Sequence, residues 1–201
     1  MRGESAQGGG SDRYSLPNSP RHCLIRRMTP PVIRPAAPAD IAAITRIYAD
    51  AVVHGTATFE IDPPDQAEMA RRMRALDDDG YPYLVAAQNG AVAGYAYAGP
   101  YRARPAYRWT VEDSVYLDPQ FQRLGIGTLL LCRLVDTAQT LGFRQMIAVI
   151  GDSAQAASIA VHRRAGFAPI GTLRSVGFKH GKWLDTVLMQ RPLGESDATP
   201  P

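Results

Sequence analysis

Val115-Tyr116-Leu117-Asp118-Pro119-Gln120-Phe121-Gln122-Arg123-Leu124-Gly125-Ile126-Gly127-Thr128, running on into Leu129-Leu130-Leu131, is the stretch that decides how the chain is read. A strand ends at Asp118-Pro119, a short loop follows, and two glycines open an apolar helix. Free amides at such a helix start, with the positive end of its dipole, make a phosphate site. Gly125 and Gly127 let the backbone come close with no Cβ in the way, and Arg123 adds a charge-assisted donor. Two other phosphate loops are excluded: no Gly-Lys-Ser/Thr follows, and Leu130 stands where a dinucleotide fingerprint needs its third glycine. Taken alone, the turn also admits a reading in which its glycines only permit a tight strand-to-helix connection.

Upstream, the pattern gives a short strand Val32–Arg34 ended by Pro35. A helix over Ala39–Val52 follows, with Ile41, Ile44, Ile47, Tyr48 and Val52 on one face. Thr56–Phe59 is extended and leads to Asp62-Pro63, read as the cap and first turn of a helix running to Leu76 with Ala70, Met73 and Leu76 inward. Strands Leu84–Gln88 and Ala91–Ala98 flank Asn89-Gly90, a strong hairpin signal, and another strand covers Trp109–Leu117. Downstream, the glycine-opened helix ends near Leu141-Gly142, then come a strand Met146–Ile150, a helix Ala156–Ala165 closed by Gly166, and strands Ala168–Leu173 and Leu184–Gln190. Hairpins first and strand–helix–strand units afterwards predict an α/β fold: a twisted mixed sheet with helices on both faces.

The chain has 201 residues, 45% hydrophobic and 20% charged, which suits one globular domain with short appendages. Residues 1–30 are rich in Gly, Ser, Pro and Arg without apolar periodicity and read as a disordered extension; Met28 is an alternative start. The domain proper is read as residues 31–193, with a flexible tail over 194–201. The net charge of +3 belongs to the extension: of 22 basic and 19 acidic residues, five and two lie in residues 1–30, leaving 17 of each in the body. A neutral body offers a polyanion no footprint, so nucleic-acid binding is set aside. No apolar run approaches the ~20 residues of a membrane helix, and no signal-peptide core is present; a cytoplasmic protein is expected. Cys23 and Cys132 make no disulfide framework, Cys132 reads as a buried inert thiol, and His22, His54 and His180 have no metal-ligand spacing.

Gln122-x-x-Gly125-x-Gly127 between a strand and a long helix resembles the acyl-CoA pyrophosphate loop of the GNAT N-acetyltransferases. Tyr97-Ala98-Gly99-Pro100, Ala103-Arg104, Ala106-Tyr107, Trp109-Thr110-Val111-Glu112, Ala148-Val149-Ile150-Gly151, Gly171-Thr172-Leu173-Arg174 and Lys179-His180-Gly181 resemble its phosphinothricin acetyltransferase subgroup. The Ser158…His162 block is shared with methionine sulfoximine/sulfone acetyltransferases, and the likeness covers roughly Val32–Leu193. It implies a GNAT fold, acetyl-CoA as co-substrate without a metal, a small amino-acid analogue as acceptor, and a homodimer.

Acetyl transfer from a thioester to an amine requires a base for the amine proton and donors for the oxyanion, while the thiolate leaves with little help. Alternation sets Glu112, Ser114 and Tyr116 on the opposite face of their strand from Val111, Val115 and Leu117. Glu112 is the candidate base, the role the resemblance gives its counterpart, although a strand carboxylate beside Asp113 also reads as solvated. His162, three residues after Ile159, has by resemblance a supporting role, orienting Glu112 or relaying the proton; as a lone His it also reads as a hydrogen-bonded core residue. The resemblance assigns cofactor contacts to the backbone around Val115, Tyr116 and Leu117 and to Gln122, Arg123, Leu124, Gly125, Ile126, Gly127 and Thr128. Ser158 is a further candidate, and Gln155 stands where relatives often carry Asn. For the acceptor, Arg102, Arg104 and Tyr107 precede the Glu112 strand, and Arg reads carboxylates and phosphinates in bidentate fashion. Phe59, Tyr97 and Trp109 are wall candidates that also read as core. Rival readings are an acetyltransferase for protein N-termini or polyamines, a CoA-binding module without turnover, and a nucleotide-binding protein; paired arginines would repel a polycation.

Overall fold

Strand polarity follows from where the turns fall. Asn89 and Gly90 take left-handed φ of 52° and 80°, as a two-residue hairpin turn requires. They join β2 (Tyr83–Gln88) antiparallel to β3 (Ala91–Pro100). β1 (Val32–Pro35) pairs with β2, and β4 (Thr110–Leu117) with β3, both antiparallel. β5 (Gln145–Gly151) lies parallel to β4 and is reached through helix α3 (Ile126–Thr140), the crossover that a parallel pair needs. Helix α4 (Ala156–Arg164) leads to β6 (Ala168–Lys179), which turns back into β7 (Lys182–Pro192). The sheet runs β1-β2-β3-β4-β5-β7-β6, mixed as expected. This computed structural model describes residues 29–201. The readings for residues 1–28 lie outside the described residues.

The sheet separates two apolar layers. On one face α1 (Ile41–His54) buries Ile41, Ile44, Ile47, Tyr48 and Val52, the five positions its spacing predicts, and α2 (Gln66–Asp78) adds Met69 and Met73. On the other, Ile126, Leu130, Leu131, Leu134 and Val135 of α3 pack with Val111, Met146, Phe167 and Met189. Each such aliphatic side chain contributes about 1.5–3 kcal/mol, so both layers hold the sheet flat against its helices. β4 lies at the centre with Val111, Val115 and Leu117 toward α3 and Tyr116 toward α1. Among the described residues, no helix is long and apolar enough to cross a membrane.

Several element ends differ from the sequence reading by about two residues, among them α1 at Ile41–His54 and β3 at Ala91–Pro100, and the start of α2 and the ends of β6 and β7 differ with a physical reason. α2 starts at Gln66, capped by Asp65, whose Oδ1 accepts from Glu68 N at 2.8 Å, and not at Asp62-Pro63. The second proline, Pro64, disfavours helical backbone at the residue before it, and Asp65 with Glu68 three positions on is the stronger start signal. β6 and β7 extend well past Leu173 and Leu184. The stretch around Lys179-His180-Gly181 is therefore the tip of a hairpin, with His180 and Gly181 at φ 51° and 74°.

Candidate active site

The parallel pair at the centre of the sheet comes apart. β4 and β5 pair only from Thr110↔Gln145 to Asp113↔Ala148. Beyond that point β4 stays with β3 as far as Gly94↔Leu117, while β5 follows β7 to Gly151↔Thr186. Asp118 N donates to Ala93 O at 3.0 Å and Thr110 O accepts from Tyr101 N at 3.4 Å, so even-numbered residues of β4 spend their backbone groups on β3. Alternation then turns the N–H and C=O of Val115 and Leu117 toward β5, where the ladder has ended. The fork exposes fixed donors and acceptors that a ligand can pair.

Beyond β4, Asp118 shapes the glycine turn. Its carboxylate accepts from Gln120 N at 2.9 Å and from Arg46 Nη1 at 2.7 Å, and a 3₁₀ turn over Pro119–Phe121 follows. Arg123 and Gly125 then take φ of 61° and 81°, which aims the chain into α3. The amides of Ile126, Gly127 and Thr128 begin that helix with no acceptor among the described residues. Gly127 is small for another reason than phosphate approach: a Cβ there would lie 3.3 Å from Leu117 Cδ1. Gln122, Arg123, Leu124 and Gly125 are exposed, and Thr128 is half-buried. Free amides, a left-handed glycine and an arginine at one helix start fit a diphosphate.

Glu112 is half-buried on the α1 side of β4, opposite Gly99 of β3, which has no side chain to fill the space. Burial pushes its carboxyl up to about 6; repulsion from Asp113 adds to the shift and Arg102 opposes it. Beside it Tyr97 belongs to a column of rings in which Tyr83 stacks on Tyr97 at 5.1 Å and Tyr95 on Tyr116 at 5.3 Å. That column walls a cleft of about 300 Å³ with Tyr48, Met69 and Leu76. Arg72 stands on its rim, held by Glu60 at 2.6 Å and Glu68 at 2.8 Å.

The remaining candidates divide. Arg102, Arg104 and Tyr107 are all exposed in the β3–β4 loop; Arg102 lies over Tyr101 at 5.0 Å, and Tyr107 meets the same ring edge-on at 5.7 Å. Of the three, Arg102 is the one whose charge is felt at Glu112. Phe59 rests between Gly151 and Gly177, where a Cβ at either would collide with its ring. Buried Lys179 Nζ fastens the preceding residue by donating to Thr58 O at 2.9 Å. Gln155 spends its amide nitrogen on Thr56 Oγ1 at 2.9 Å. Trp109 sits just before β4, away from the fork, and lines a separate cleft with Phe143 and Arg144. Cys132 is half-buried against the core. Among the described residues, no group of three His, Cys, Asp or Glu is placed to hold a metal.

His162 does not contact Glu112. It is buried on the other side of the strand, where Nε2 lies 2.9 Å from Asp113 Oδ2 and Nδ1 lies 2.8 Å from the carbonyl of Ser158. The Ser158 hydroxyl is 3.5 Å from the same Nδ1. Asp113 is the partner of His162 that sequence reasoning misses. The signal was available in its parity, since Asp113 shares a face with Val111 and Val115 and must point into the apolar layer on the α3 side of the sheet.

A split sheet with a phosphate-ready turn beyond the split is the geometry of a protein that seats a long phosphate-bearing ligand between two strands. The acetyltransferase (GNAT) family model matches residues 42–167, and the chain belongs to that family. It is 51% identical over 162 residues to the phosphinothricin N-acetyltransferase of Alcaligenes faecalis, covering 81% of this chain and 82% of that one. To the L-methionine sulfoximine/L-methionine sulfone acetyltransferase of Salmonella typhimurium it is 43% identical over 166 residues, covering 83% and 96%. The crystal structure of a GNAT superfamily phosphinothricin acetyltransferase from Sinorhizobium meliloti in complex with AcCoA superposes with a TM-score of 0.84, at 52% identity over 86% of this chain and 94% of that one.

Proposed function

We propose that this chain transfers an acetyl group from acetyl-CoA to the α-amine of a small amino-acid analogue of the phosphinothricin, methionine sulfoximine or methionine sulfone type. The observation that carries the reading is Glu112, a half-buried carboxyl with a raised pKa standing at the fork of β4 and β5. When bound, acetyl-CoA supplies the reactive thioester. The amides that open α3, with Gln122, Arg123 and the turn through Gly125, hold its diphosphate. Val115 and Leu117 pair their free backbone groups with its pantetheine arm and acetyl carbonyl, and their N–H groups steady the negative charge that develops on the carbonyl oxygen. Glu112 takes the amine proton, directly or through a water. Arg102, with Arg104 and Tyr107, binds the acceptor's carboxylate, and Phe59 and Tyr97 flank its side chain. Gln155 and Ser158 are the further candidates for contact with the cofactor. Purified protein mixed with acetyl-CoA and a panel of amines tests this by thiol release: the amino-acid analogues should react and polyamines and peptide N-termini should not. Preferential use of a polyamine, or no release with any amine, would overturn it.

A base with a carboxyl near 6 must be ionised to work, so kcat/KM should rise with pH through an acid limb near that value and level off above it. Because Arg102 favours the ionised form, Arg102→Gln should move that limb to higher pH. A pH–rate profile of both proteins decides the point, and an unmoved limb would detach Arg102 from Glu112.

The homodimer reading is supported by the hairpin of β6 and β7, where Ile170, Leu173, Val176, Phe178 and Trp183 are each at least half exposed. Apolar surface of this kind on an edge strand is usually covered by a partner. Trp183→Glu should convert a dimer into a monomer by light scattering; a wild-type monomer at micromolar concentration would refute the assembly. A cytoplasmic location, where acetyl-CoA is made, goes with this reading and is tested by cell fractionation.

A further inference from the structure

Two titratable residues of the described chain, Asp113 and His162, meet at the apex of the fork and share a proton. Asp113 is the last residue of β4 paired to β5. Its side chain and that of His162 are both buried, at 1% and 6% exposure. The Ser158 carbonyl 2.8 Å from Nδ1 is an acceptor only, so Nδ1 carries a hydrogen. An ionised carboxylate and a bare Nε2 lone pair cannot face one another at 2.9 Å. A proton therefore lies between Nε2 and Oδ2, and the more basic ring takes it.

We infer that Asp113 is a positioning residue: it fixes the His162 ring at the apex of the fork and keeps Nε2 protonated, leaving Glu112 as the free base of the site.

The surroundings favour this arrangement. Phe167 meets the ring edge-on at 5.2 Å, the nearby residues of α3 and β5 are apolar, and Arg163 and Arg164 on the ring's own helix are exposed. Asp113 is thus the titratable group that faces His162. Burial alone would strip the ring of its charge, but the hydrogen bond and attraction of Asp113, with the Ser158 carbonyl, outweigh it and hold the imidazole above its ordinary value. Glu112, on the opposite side of the strand, feels the charges of Asp113 and Arg102, and Tyr97 lies near it on its own side. Asp113 Oδ1 has no partner among the described residues; a carboxylate retained only for packing would gain from bonding both oxygens. Were His162 neutral with a bare Nε2, the site would hold two competing bases on opposite sides of one strand.

The consequence for turnover rests on the acetyltransferase reading; the protonation does not. Imidazole ¹⁵N spectra of the full ligand-free chain, with the His162 signals assigned through His162→Asn, should show both ring nitrogens protonated at pH 7.5. In Asp113→Asn only Nδ1 should remain protonated. That variant keeps the shape of the side chain, and its kcat should fall at least about tenfold, less than the roughly 10²–10⁴-fold that a group moving the proton itself contributes. Its KM for acetyl-CoA should stay within about twofold. The double variant Asp113→Asn/His162→Asn should be no slower than the slower single one, as residues acting as a unit are not additive. A neutral wild-type ring at pH 7.5, or an Asp113→Asn protein with unchanged kcat, would overturn the inference. If Asp113→Asn does not fold, the wild-type spectrum decides alone. If wild type releases no thiol with any acceptor, the acetyltransferase reading fails while the ring spectrum still judges the pair.

Discussion

Glu112→Gln is expected to lower kcat by roughly 10²–10⁴-fold, the span that a positioned general base contributes, with the Kd for acetyl-CoA nearly unchanged. The amide is isosteric with the carboxyl, so the space opposite Gly99 stays filled and the ring column beside Tyr97 is not disturbed. What is lost is the capacity to take a proton. The groups proposed to hold the cofactor are backbone atoms of Val115, Leu117 and the first turn of α3, and none depends on the charge at 112. Calorimetric titration with acetyl-CoA and a thiol-release assay on the same preparation separate the two properties. A Gln variant as fast as wild type would remove Glu112 from the chemistry.

The converse result is expected at the glycine turn. Gly125 caps α3 at φ 81° with nothing within 4 Å of where a Cβ would stand, so the demand there is conformational and not one of space. A β-branched residue is a poor occupant of the left-handed region, at a cost of about 1–3 kcal/mol. Gly125→Val should therefore swing the amides of Ile126 to Thr128 off their aim and weaken acetyl-CoA binding by about 10–100-fold, since each hydrogen bond to a charged group is worth roughly 1.5–3 kcal/mol. At saturating acetyl-CoA the turnover should largely recover, because Glu112 and the fork lie on another element. Unchanged affinity would mean that the turn is structural only.

How much of this was readable in the linear chain varies by element, for physical reasons. Ile41, Ile44, Ile47, Tyr48 and Val52 announce α1 because a helix repeats its inward face every three to four residues. Asn89-Gly90 announces its hairpin because few residues accept two successive left-handed conformations. The same chemistry in His180-Gly181 is harder to read, since His is a less frequent left-handed residue and the lysines on either side suggest solvent. Glycine at 125 is legible from its motif, but the need for glycine at 151 and 177 is not: both make room for Phe59, which comes from a distant loop. Glu112 is legible as a carboxylate on a strand. The Asp113–His162 contact is not, because it joins residues 49 apart, and parity tells which layer Asp113 enters without naming the helix that covers it.

The narrow join between β4 and β5 has a further consequence. Four register pairs, Thr110 to Asp113 against Gln145 to Ala148, are all that stitches a four-strand meander to a three-strand flap across the middle of the sheet. A molecule seated in the cleft beyond them, as proposed for acetyl-CoA, would bond to one half and rest against the other, and so would work as a splint as much as a reagent. The protein would gain rigidity at this short central seam at the moment when its reacting groups need to be held still.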